Sequence, residues 1–338
     1  MRFGKYWLCC LAGCYMGLAQ AATFPYAASE RADVAAFVDD MAKRHGFDRD
    51  WVAQWLKQAQ RSERILEAIS RPAERTLEWE AYRRIFIRPE QIEQGLAFLA
   101  KHEETFARAE AELGVSRYIA AAIIGVETRY GRFMGPHRVL DALATLGFDY
   151  PPRSDFFRRQ LGEYFLLVRE QGFNPADIKG SYAGAMGYGQ FIPGSYRHYA
   201  IDFDGDGVVD ILTNPVDAIG SVANYFREHR WQPGRPIAER LPGTLPDDSP
   251  LLTQGLRPTL TVADYRAAGL TPGKTVQDSE PARAIQVLGE DGPELWLTYH
   301  NFYVITRYNH SHLYAMAVHE LARLLEAGSA AAGSDSDV

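Results

Sequence analysis

Residues 118–131 read Tyr118-Ile-Ala-Ala-Ala-Ile-Ile-Gly-Val-Glu127-Thr-Arg-Tyr-Gly131. The run before Glu127 is apolar and follows Ser116, a residue type that caps helices, so the stretch predicts a buried helix that delivers Glu127. Poor solvation penalises the charged form of a carboxyl group, which raises its pKa and lets it hold a proton near neutral pH. Glu127 is therefore a candidate general acid. The next acidic residue along the chain is Asp141, so the sequence offers one acid and no obvious pair.

The bulk composition is that of an ordinary globular protein. The 338 residues are enough for two or three domains. A net charge of −7 argues against a nucleic-acid partner, since such binders are usually basic. The 18 Tyr, 17 Phe and 6 Trp either pack the core or line a groove for flat sugar faces, and composition alone favours the core.

The first 21 residues have the pattern of an export signal. Arg2 and Lys5 precede an apolar stretch, and Ala19-Gln20-Ala21 matches a small-x-small cleavage site. We therefore expect a signal peptide over residues 1–21 and a mature protein in the periplasm.

A second interpretation of the same segment is an outer-membrane lipoprotein. Leu11-Ala-Gly-Cys14 resembles a bacterial lipobox, in which Cys14 would be lipidated and would anchor the protein. All three cysteines of the chain lie in this segment, so the rest of the sequence excludes a disulfide framework, a thiolate nucleophile and a cysteine zinc site.

Apolar periodicity and capping residues predict a mainly helical chain with a small β domain. Glycine and aromatic residues alternate between residues 172 and 215, which indicates loops. Short β-like runs stand at 259–262, 284–288 and 295–298, in a region rich in Pro, Gly and Thr. The predicted helices lie at 29–46, 51–59, 62–69, 89–113, 116–127, 139–146, 154–171, 216–229 and 309–326.

An acidic loop, Asp202-Phe-Asp204-Gly-Asp206-Gly-Val208-Val-Asp210, has the spacing of an EF-hand calcium loop. Thr213 stands where the bidentate Glu is expected, and Asp217 would complete the shell if the loop is one residue longer. An acidic turn is the alternative, but three alternating Asp repel one another without a cation. We expect one structural calcium ion here, held by Asp202, Asp204, Asp206, the Val208 carbonyl, Asp210 and Asp217.

The segment Gly180-Ser181-Tyr-Ala-Gly-Ala-Met-Gly187-Tyr188-Gly-Gln190-Phe191 is dense in glycine and aromatic residues. Glycines let a ligand approach the backbone, while Ser181, Tyr188 and Gln190 offer donors. The glycine order and the lack of a strand–helix frame exclude a dinucleotide-binding motif, and Ser181 is out of register for a hydrolase nucleophile elbow.

Four stretches, taken in order, resemble the MltB-type lytic murein transglycosylases over nearly all of the mature chain. They are Ile124-Gly-Val-Glu127-Thr-Arg-Tyr-Gly131, the Gly180–Phe191 segment, Asn214-Pro-Val-Asp217-Ala-Ile-Gly-Ser-Val-Ala-Asn-Tyr225-Phe, and Asn301-Phe-Tyr-Val-Ile-Thr-Arg-Tyr308-Asn309 through Tyr314-Ala-Met.

The resemblance implies an α+β, mainly α fold with a goose-lysozyme-like catalytic core that contains the EF-hand-like calcium loop. An additional helical domain and a small β domain would accompany it. The expected organisation is a helical domain at 29–113 completed by 310–327, a core at 114–231 with its calcium loop at 202–217, a β domain at 232–296, a return to the core at 297–309, and a disordered tail at 328–338.

The resemblance also implies the activity. Family members cleave the β-1,4 bond between N-acetylmuramic acid and N-acetylglucosamine in peptidoglycan and leave a 1,6-anhydromuramoyl end. Glu127 matches the catalytic acid and base, with no cofactor for catalysis. Pro152 replaces the first of two arginines that the family commonly has. The matching substrate-binding positions are Tyr82, Arg153, Ser181, Tyr188, Gln190, Phe191, Tyr225, Tyr308 and Tyr314.

One acid suffices if the substrate supplies the remaining groups. The 2-acetamido carbonyl would stabilise the cation, helped by hydrogen bonds from Ser181 and Tyr308, and the C6 hydroxyl would attack C1. Two alternatives remain open: a lysozyme-type hydrolase that uses a distant Asp to hold water, and a non-catalytic peptidoglycan-binding protein. The expected partner is the glycan strand, not nucleic acid, and protein partners are not indicated.

Overall fold

A computed structural model of the chain describes residues 24–70 and 77–335. The predictions of a signal peptide and of a lipidated Cys14, and residues 336–338 of the expected tail, lie outside the described residues. Within them no helix is both long enough and apolar enough to pass through a bilayer.

Fourteen helices dominate the described part of the chain. They are α1 (Ala32–His45), α2 (Arg49–Gln58), α3 (Glu63–Ser70), α4 (Trp79–Phe86), α5 (Pro89–Lys101), α6 (Glu103–Leu113), α7 (Arg117–Thr128), α8 (Val139–Asp149), α9 (Ser154–Gln171), α10 (Pro193–Tyr199), α11 (Pro215–Glu228), α12 (Val262–Ala267), α13 (His300–Tyr308) and α14 (His312–Asp335). A short 3-10 turn covers Pro151–Arg153.

Local signals set several helix ends. The Asp48 carboxylate accepts the Trp51 N–H at 2.8 Å and begins α2, and the Ser116 hydroxyl accepts the Tyr118 N–H at 3.3 Å and begins α7. Gly46 ends α1 in the left-handed conformation, with φ 66°. These ends agree with the capping residues that the sequence predicts.

The single helix predicted over 89–113 is wrong. The chain leaves helical geometry at His102 (φ −120°, ψ 30°) and starts α6 at the next residue. The break brings the rings of Phe98 and Phe106 to 5.8 Å, although eight residues of straight helix would separate them by about 12 Å. Packing of these rings in the core overrides a continuous helical pattern.

The small β domain is one antiparallel sheet in the order β3-β6-β5-β4. Its centre is the hairpin of β5 (Pro281–Gly289) and β6 (Gly292–Tyr299), with β3 (Ala238–Leu241) and β4 (Leu260–Thr261) at its edges. Strand β3 was not predicted, because only Leu241 of its four residues is buried. A further two-residue pair joins β1 (His137–Arg138) to β2 (Lys179–Gly180).

Two large hydrophobic clusters form the body of the molecule. The first gathers α4 to α7, most of α11, and the facing sides of α13 and α14. The second gathers α1 to α3 with α8 to α10. The helices of residues 29–113 therefore divide between two cores instead of sharing one. Tyr188 and Tyr308 pack against both clusters, so the seam between the clusters runs past these two rings.

The disordered tail predicted from Gly328 is wrong for residues 328–335, which continue α14. Three successive alanines, residues 330–332, favour helix more strongly than any other residue type. Gly328 also lies against α5: a Cβ added there would be 2.9 Å from Leu96 Cδ1.

The crossing of α5, α7 and α14 depends on Gly95. A Cβ at this position would lie 2.3 Å from the Tyr130 hydroxyl and 2.5 Å from Leu325 Cδ2. Gly95→Ala should lower the free energy of unfolding by about 1–3 kcal/mol through overpacking, as measured by urea denaturation. Gly162→Ala on α9 is the matched control, because its nearest neighbour is Met41 Sδ at 3.4 Å. A Gly95→Ala protein as stable as Gly162→Ala would contradict this packing.

His319 on α14 makes stability depend on pH. Burial, and next the charge of Arg323, lower the pKa of His319 to about 4. The unfolded chain takes up this proton near pH 6.5 and the folded chain does not, so stability should fall as the pH drops from about 6.5 towards 4. His319→Gln should flatten the slope of the urea midpoint between pH 7 and pH 5. An unchanged slope would show that His319 does not contribute.

Candidate active site

Glu127 lies in the last turn of α7 and is half-buried. The Tyr314 hydroxyl, from the first turns of α14, donates a 2.6 Å hydrogen bond to Glu127 Oε1. Tyr314 itself is 2% exposed. The predicted acid is therefore partly accessible, and a buried donor fixes the position of one oxygen of its carboxyl group.

The chain turns sharply after the carboxylate. Arg129, Tyr130 and Gly131 all have positive φ values, of 50°, 60° and 84°. Such a conformation is unfavourable for a residue with a Cβ and persists where the surroundings enforce it. The Tyr130 ring does so by packing against Gly95 and Gly125, at each of which a Cβ would come within 3 Å of its hydroxyl.

Thr128 ties this turn to the glycine-rich segment. Its hydroxyl shares its hydrogen between the Tyr188 carbonyl at 2.9 Å and the Ile124 carbonyl at 3.0 Å, and it accepts the Gly131 N–H at 3.0 Å. Neither residue type nor spacing in the sequence indicates a role for Thr128 or Tyr130. The available signal was the pair of glycines inside helices α5 and α7, since glycine in a helix interior often marks a close approach.

The glycine-rich segment arranges its polar groups through its own backbone. The Ser181 hydroxyl accepts the N–H groups of Ala183 and Ala185 at 3.3 and 3.1 Å. These two bonds occupy the lone pairs of the hydroxyl oxygen. The hydroxyl hydrogen therefore remains available to donate to a ligand. The Gln190 side-chain amide donates to the Met134 and Gly187 carbonyls at 3.2 and 3.0 Å.

Tyr308 is the centre of an aromatic cluster behind the carboxylate. Its hydroxyl donates to the Gly189 carbonyl at 2.5 Å, and its ring lies 6.4 Å from that of Tyr314 in a stacked arrangement. The rings of Phe191, Tyr225 and Phe226 lie 4.7–5.8 Å from it. Burial, and next the charge of Glu127, raise the pKa of both Tyr308 and Tyr314 well above the ordinary value, so both remain neutral donors.

The structure thus connects most of the predicted site residues into one assembly around Glu127: Ser181, Tyr188, Gln190, Phe191, Tyr225, Tyr308 and Tyr314. Tyr82 is 1% exposed and lies within electrostatic reach of Tyr314. Arg153 lies apart on the exposed 3-10 turn, with its guanidinium 4.3 Å from the centre of the Phe156 ring. Substrate contacts for all of these residues stay predictions.

The acidic loop brings three carboxylates together. Oxygen atoms of Asp202, Asp204 and Asp217 lie within 4.8 Å of one another. Calcium binds oxygen ligands at about 2.4 Å, so two ligands on opposite sides of the ion are about 4.8 Å apart. Asp217 is fully buried in the first turn of α11, and burial raises its pKa. This donor set fits a calcium ion, because a cation would offset the repulsion among the three carboxylates.

The other predicted carboxylate ligands, Asp206 and Asp210, are not part of this group, and like Asp202 and Asp217 they accept hydrogen bonds within the loop. Asp206 Oδ1 accepts the Val208 N–H, and Asp210 Oδ1 accepts the N–H groups of Leu212 and Thr213, all at 2.8–2.9 Å. Asp206, the Val208 carbonyl and Asp210 therefore stay predictions as ligands. Asn214, next to the extra residue of the loop, donates to Asp204 Oδ2 at 2.7 Å and caps α11.

Comparison with known proteins gives one consistent family. A family model described as the transglycosylase SLT domain matches residues 29–323. A curated relative, the membrane-bound lytic murein transglycosylase B of Escherichia coli strain K12, is 42% identical over 296 residues, which cover 85% of this chain and 81% of that protein.

Solved structures agree with this relationship. The soluble lytic transglycosylase SltB1 of Pseudomonas aeruginosa is 47% identical with a TM-score of 0.83, covering 88% of this chain and 99% of that one. Escherichia coli Slt35, solved in complex with calcium, is 40% identical with a TM-score of 0.81, covering 91% and 94%. Pseudomonas aeruginosa SltB3, solved with NAG-NAM-pentapeptide, is 31% identical with a TM-score of 0.77, covering 86% and 78%.

Proposed function

The chain belongs to the family of lytic murein transglycosylases with an SLT domain, and from that premise we propose that Glu127 is both the catalytic acid and the catalytic base. The family and the enzyme class confirm the resemblance carried by the four sequence stretches, and the solved relatives confirm the predicted fold class. The observation that carries the proposal is the 2.6 Å hydrogen bond from Tyr314 to Glu127, at a seam lined by aromatic rings.

Cleavage of the glycan begins with proton transfer. Glu127 in its protonated form donates to the glycosidic oxygen, the bond from that oxygen to C1 of the muramoyl residue breaks, and N-acetylglucosamine leaves with the proton. The carbonyl oxygen of the 2-acetamido group shares its electrons with C1 and stabilises the positive charge that develops there. The Ser181 hydroxyl hydrogen is suited to hold the acetamido group, because the acceptor side of this hydroxyl is already occupied.

Ring closure completes the reaction. Glu127, now a carboxylate, takes the proton of the C6 hydroxyl, and O6 attacks C1 and displaces the acetamido oxygen. The product is a 1,6-anhydromuramoyl end, and Glu127 is again protonated. A tethered hydroxyl needs no positioned water, since intramolecular attack has a high effective concentration. The neutral hydroxyl of Tyr314 stabilises the carboxylate between the two proton transfers.

Replacing the acid tests the mechanism directly. Glu127→Gln should fold normally and lose at least about 10³-fold in cleavage of purified peptidoglycan sacculi, because an amide cannot donate or accept this proton. Tyr314→Phe is the graded control: it keeps the carboxylate and should lose only about 10- to 100-fold. Muropeptide release is the measurement, and substantial release by Glu127→Gln would refute the assignment.

The products distinguish transglycosylation from hydrolysis. Mass spectrometry of muropeptides should show anhydro ends about 18 Da, or one water, lighter than the reducing ends that a lysozyme-type hydrolase leaves. Reducing ends alone would reject ring closure at Glu127 in favour of an activated water.

We further propose that the acidic loop binds a structural calcium ion through Asp202, Asp204 and Asp217. The geometry of their oxygens supports this, as does the calcium complex of the Slt35 relative. The ion would balance the buried charge of Asp217 and hold the loop, and it takes no part in proton transfer.

Calcium at 100 times its dissociation constant should stabilise chelated protein by about 2.7 kcal/mol, seen as a rise in Tm. The rise should be smaller at pH 5 than at pH 7, because burial raises the pKa of Asp217 and protons then compete with the ion. Asp204→Ala should abolish the response, whereas Asp247→Ala, an exposed carboxylate outside the loop, should retain it. No shift at millimolar calcium would reject the site.

The enzyme acts on peptidoglycan, and we propose that it does so from the periplasm. The export pattern at residues 1–21 supports a free mature protein, and the lipobox-like sequence before Cys14 supports the alternative of an outer-membrane anchor. The mass of the mature N-terminus separates the two, since diacylglyceryl modification of Cys14 adds a large, defined mass.

A further inference from the structure

A polar cavity lies in the β domain, beside the start of α14. It has a volume of about 370 Å³ and is bordered by Thr253, Arg283 of β5 and His312. A neighbouring cavity of about 470 Å³ shares Gln286, Val287 and His312 with it and reaches residues 309–313. Volumes of this size are ordinary for small-molecule sites.

Arg283 is a cation without a counterion. Its Nε donates to the Thr253 carbonyl at 3.1 Å, while its Nη1 is buried and has no hydrogen-bond partner. Among residues 24–70 and 77–335 it forms no ion pair within 4.0 Å. Burial lowers the pKa of Arg283, which means that the folded protein disfavours this charge. A half-buried guanidinium whose buried Nη1 lacks a partner costs free energy, so a ligand that pairs with this nitrogen would be stabilised.

Two further polar groups, from Thr253 and His312, border the same cavity as Arg283. The Thr253 hydroxyl is buried and also lacks a hydrogen bond in the described structure. His312 is half-buried, and burial followed by the charge of Arg283 lowers its pKa, so its ring is neutral and lies within electrostatic reach of the guanidinium. Asp247, an exposed residue, contributes the acidic group at the rim of this cavity.

We propose that this cavity binds a carboxylate of the peptide that peptidoglycan carries on its muramoyl residues. The guanidinium Nη1 and the Thr253 hydroxyl supply two donors, which matches the two oxygens of a carboxylate. The proposal rests on the proposed function, since it takes the glycan at Glu127 as the point from which the peptide extends.

The position of the cavity supports a peptide ligand. Residues 309–313 line the neighbouring cavity of about 470 Å³. The next residue, Tyr314, donates a hydrogen bond to Glu127. The proposal places the peptide of a muramoyl residue at Glu127 towards the paired cavities, whose lining ends one residue before Tyr314. Asp247 at the rim suits an ammonium group, so the end of an amino acid with a free amine and a free carboxylate matches the lining better than a simple anion does.

The test compares two substrates. Arg283→Gln should lower kcat/KM about tenfold on peptide-bearing glycan strands, as expected for one charge-assisted hydrogen bond, and leave it unchanged on strands stripped of peptide by an amidase. Thr253→Val should show the same substrate dependence while the free protein stays at least as stable, because the change removes a buried hydroxyl without a partner. Arg64→Gln, which removes an exposed charge of α3, is the control and should affect neither substrate.

A binding measurement separates this proposal from the catalytic one. N-acetylmuramoyl-pentapeptide should bind Glu127→Gln protein about tenfold more tightly than it binds the Glu127→Gln/Arg283→Gln double variant, and amidation of the peptide carboxylates should remove that difference.

Equal losses on both substrates, or none on either, would overturn the proposal, as would unchanged binding by the double variant. Wild-type protein that cleaves neither substrate would overturn the proposed function instead, and the binding measurement would still decide the role of Arg283.

Discussion

The hydrogen bond between Tyr314 and Glu127 joins two residues that are 187 positions apart in the chain, and the geometry of the site depends on it. It requires α7 and α14 to run side by side, which the small residues of α7 permit: Ala120, Ala121, Ala122 and Gly125 are all buried. Gly95 and Gly125 leave room for Tyr130, and Tyr130 in turn holds the left-handed residues that follow the carboxylate. The position of one acid is thus fixed by the packing of three helices.

The acidic loop is coupled to this site through the backbone. Ile211, just beyond the loop carboxylates, accepts the N–H of Tyr188 at 3.1 Å, and a Cβ on Gly187 would collide with its carbonyl. The Tyr188 carbonyl in turn accepts from Thr128, the residue after Glu127. A cation that stiffens the loop would therefore also stiffen the glycine-rich segment beside Glu127. The proposed ion would in this way influence activity with no role in the chemistry.

The sequence predicts those features of the structure that interactions between neighbouring residues determine. Helix caps such as Asp48 and Ser116, the acidic spacing around Asp204 and the apolar approach to Glu127 all act within a few residues. The seam between the two clusters, the break at His102 and the unpaired Arg283 depend on residues far away in the chain, and no periodicity reveals them. Tyr82 shows the same limit, since no local pattern reveals that its side chain is buried and close to Tyr314.

A single carboxyl group can serve both proton transfers only if its surroundings suit both of its charge states. Tyr308 and Tyr314 remain protonated because burial and the nearby carboxylate both oppose their ionisation. The neutral Tyr314 hydroxyl therefore stabilises the carboxylate without competing for the proton it must collect, while the Tyr308 hydroxyl is engaged with the Gly189 carbonyl. An ordinary glycosidase uses a second carboxylate. In the proposed mechanism the acetamido group and the C6 hydroxyl of the sugar take its place. In that mechanism the aromatic residues beside Glu127 would help to exclude the water that would compete with the C6 hydroxyl.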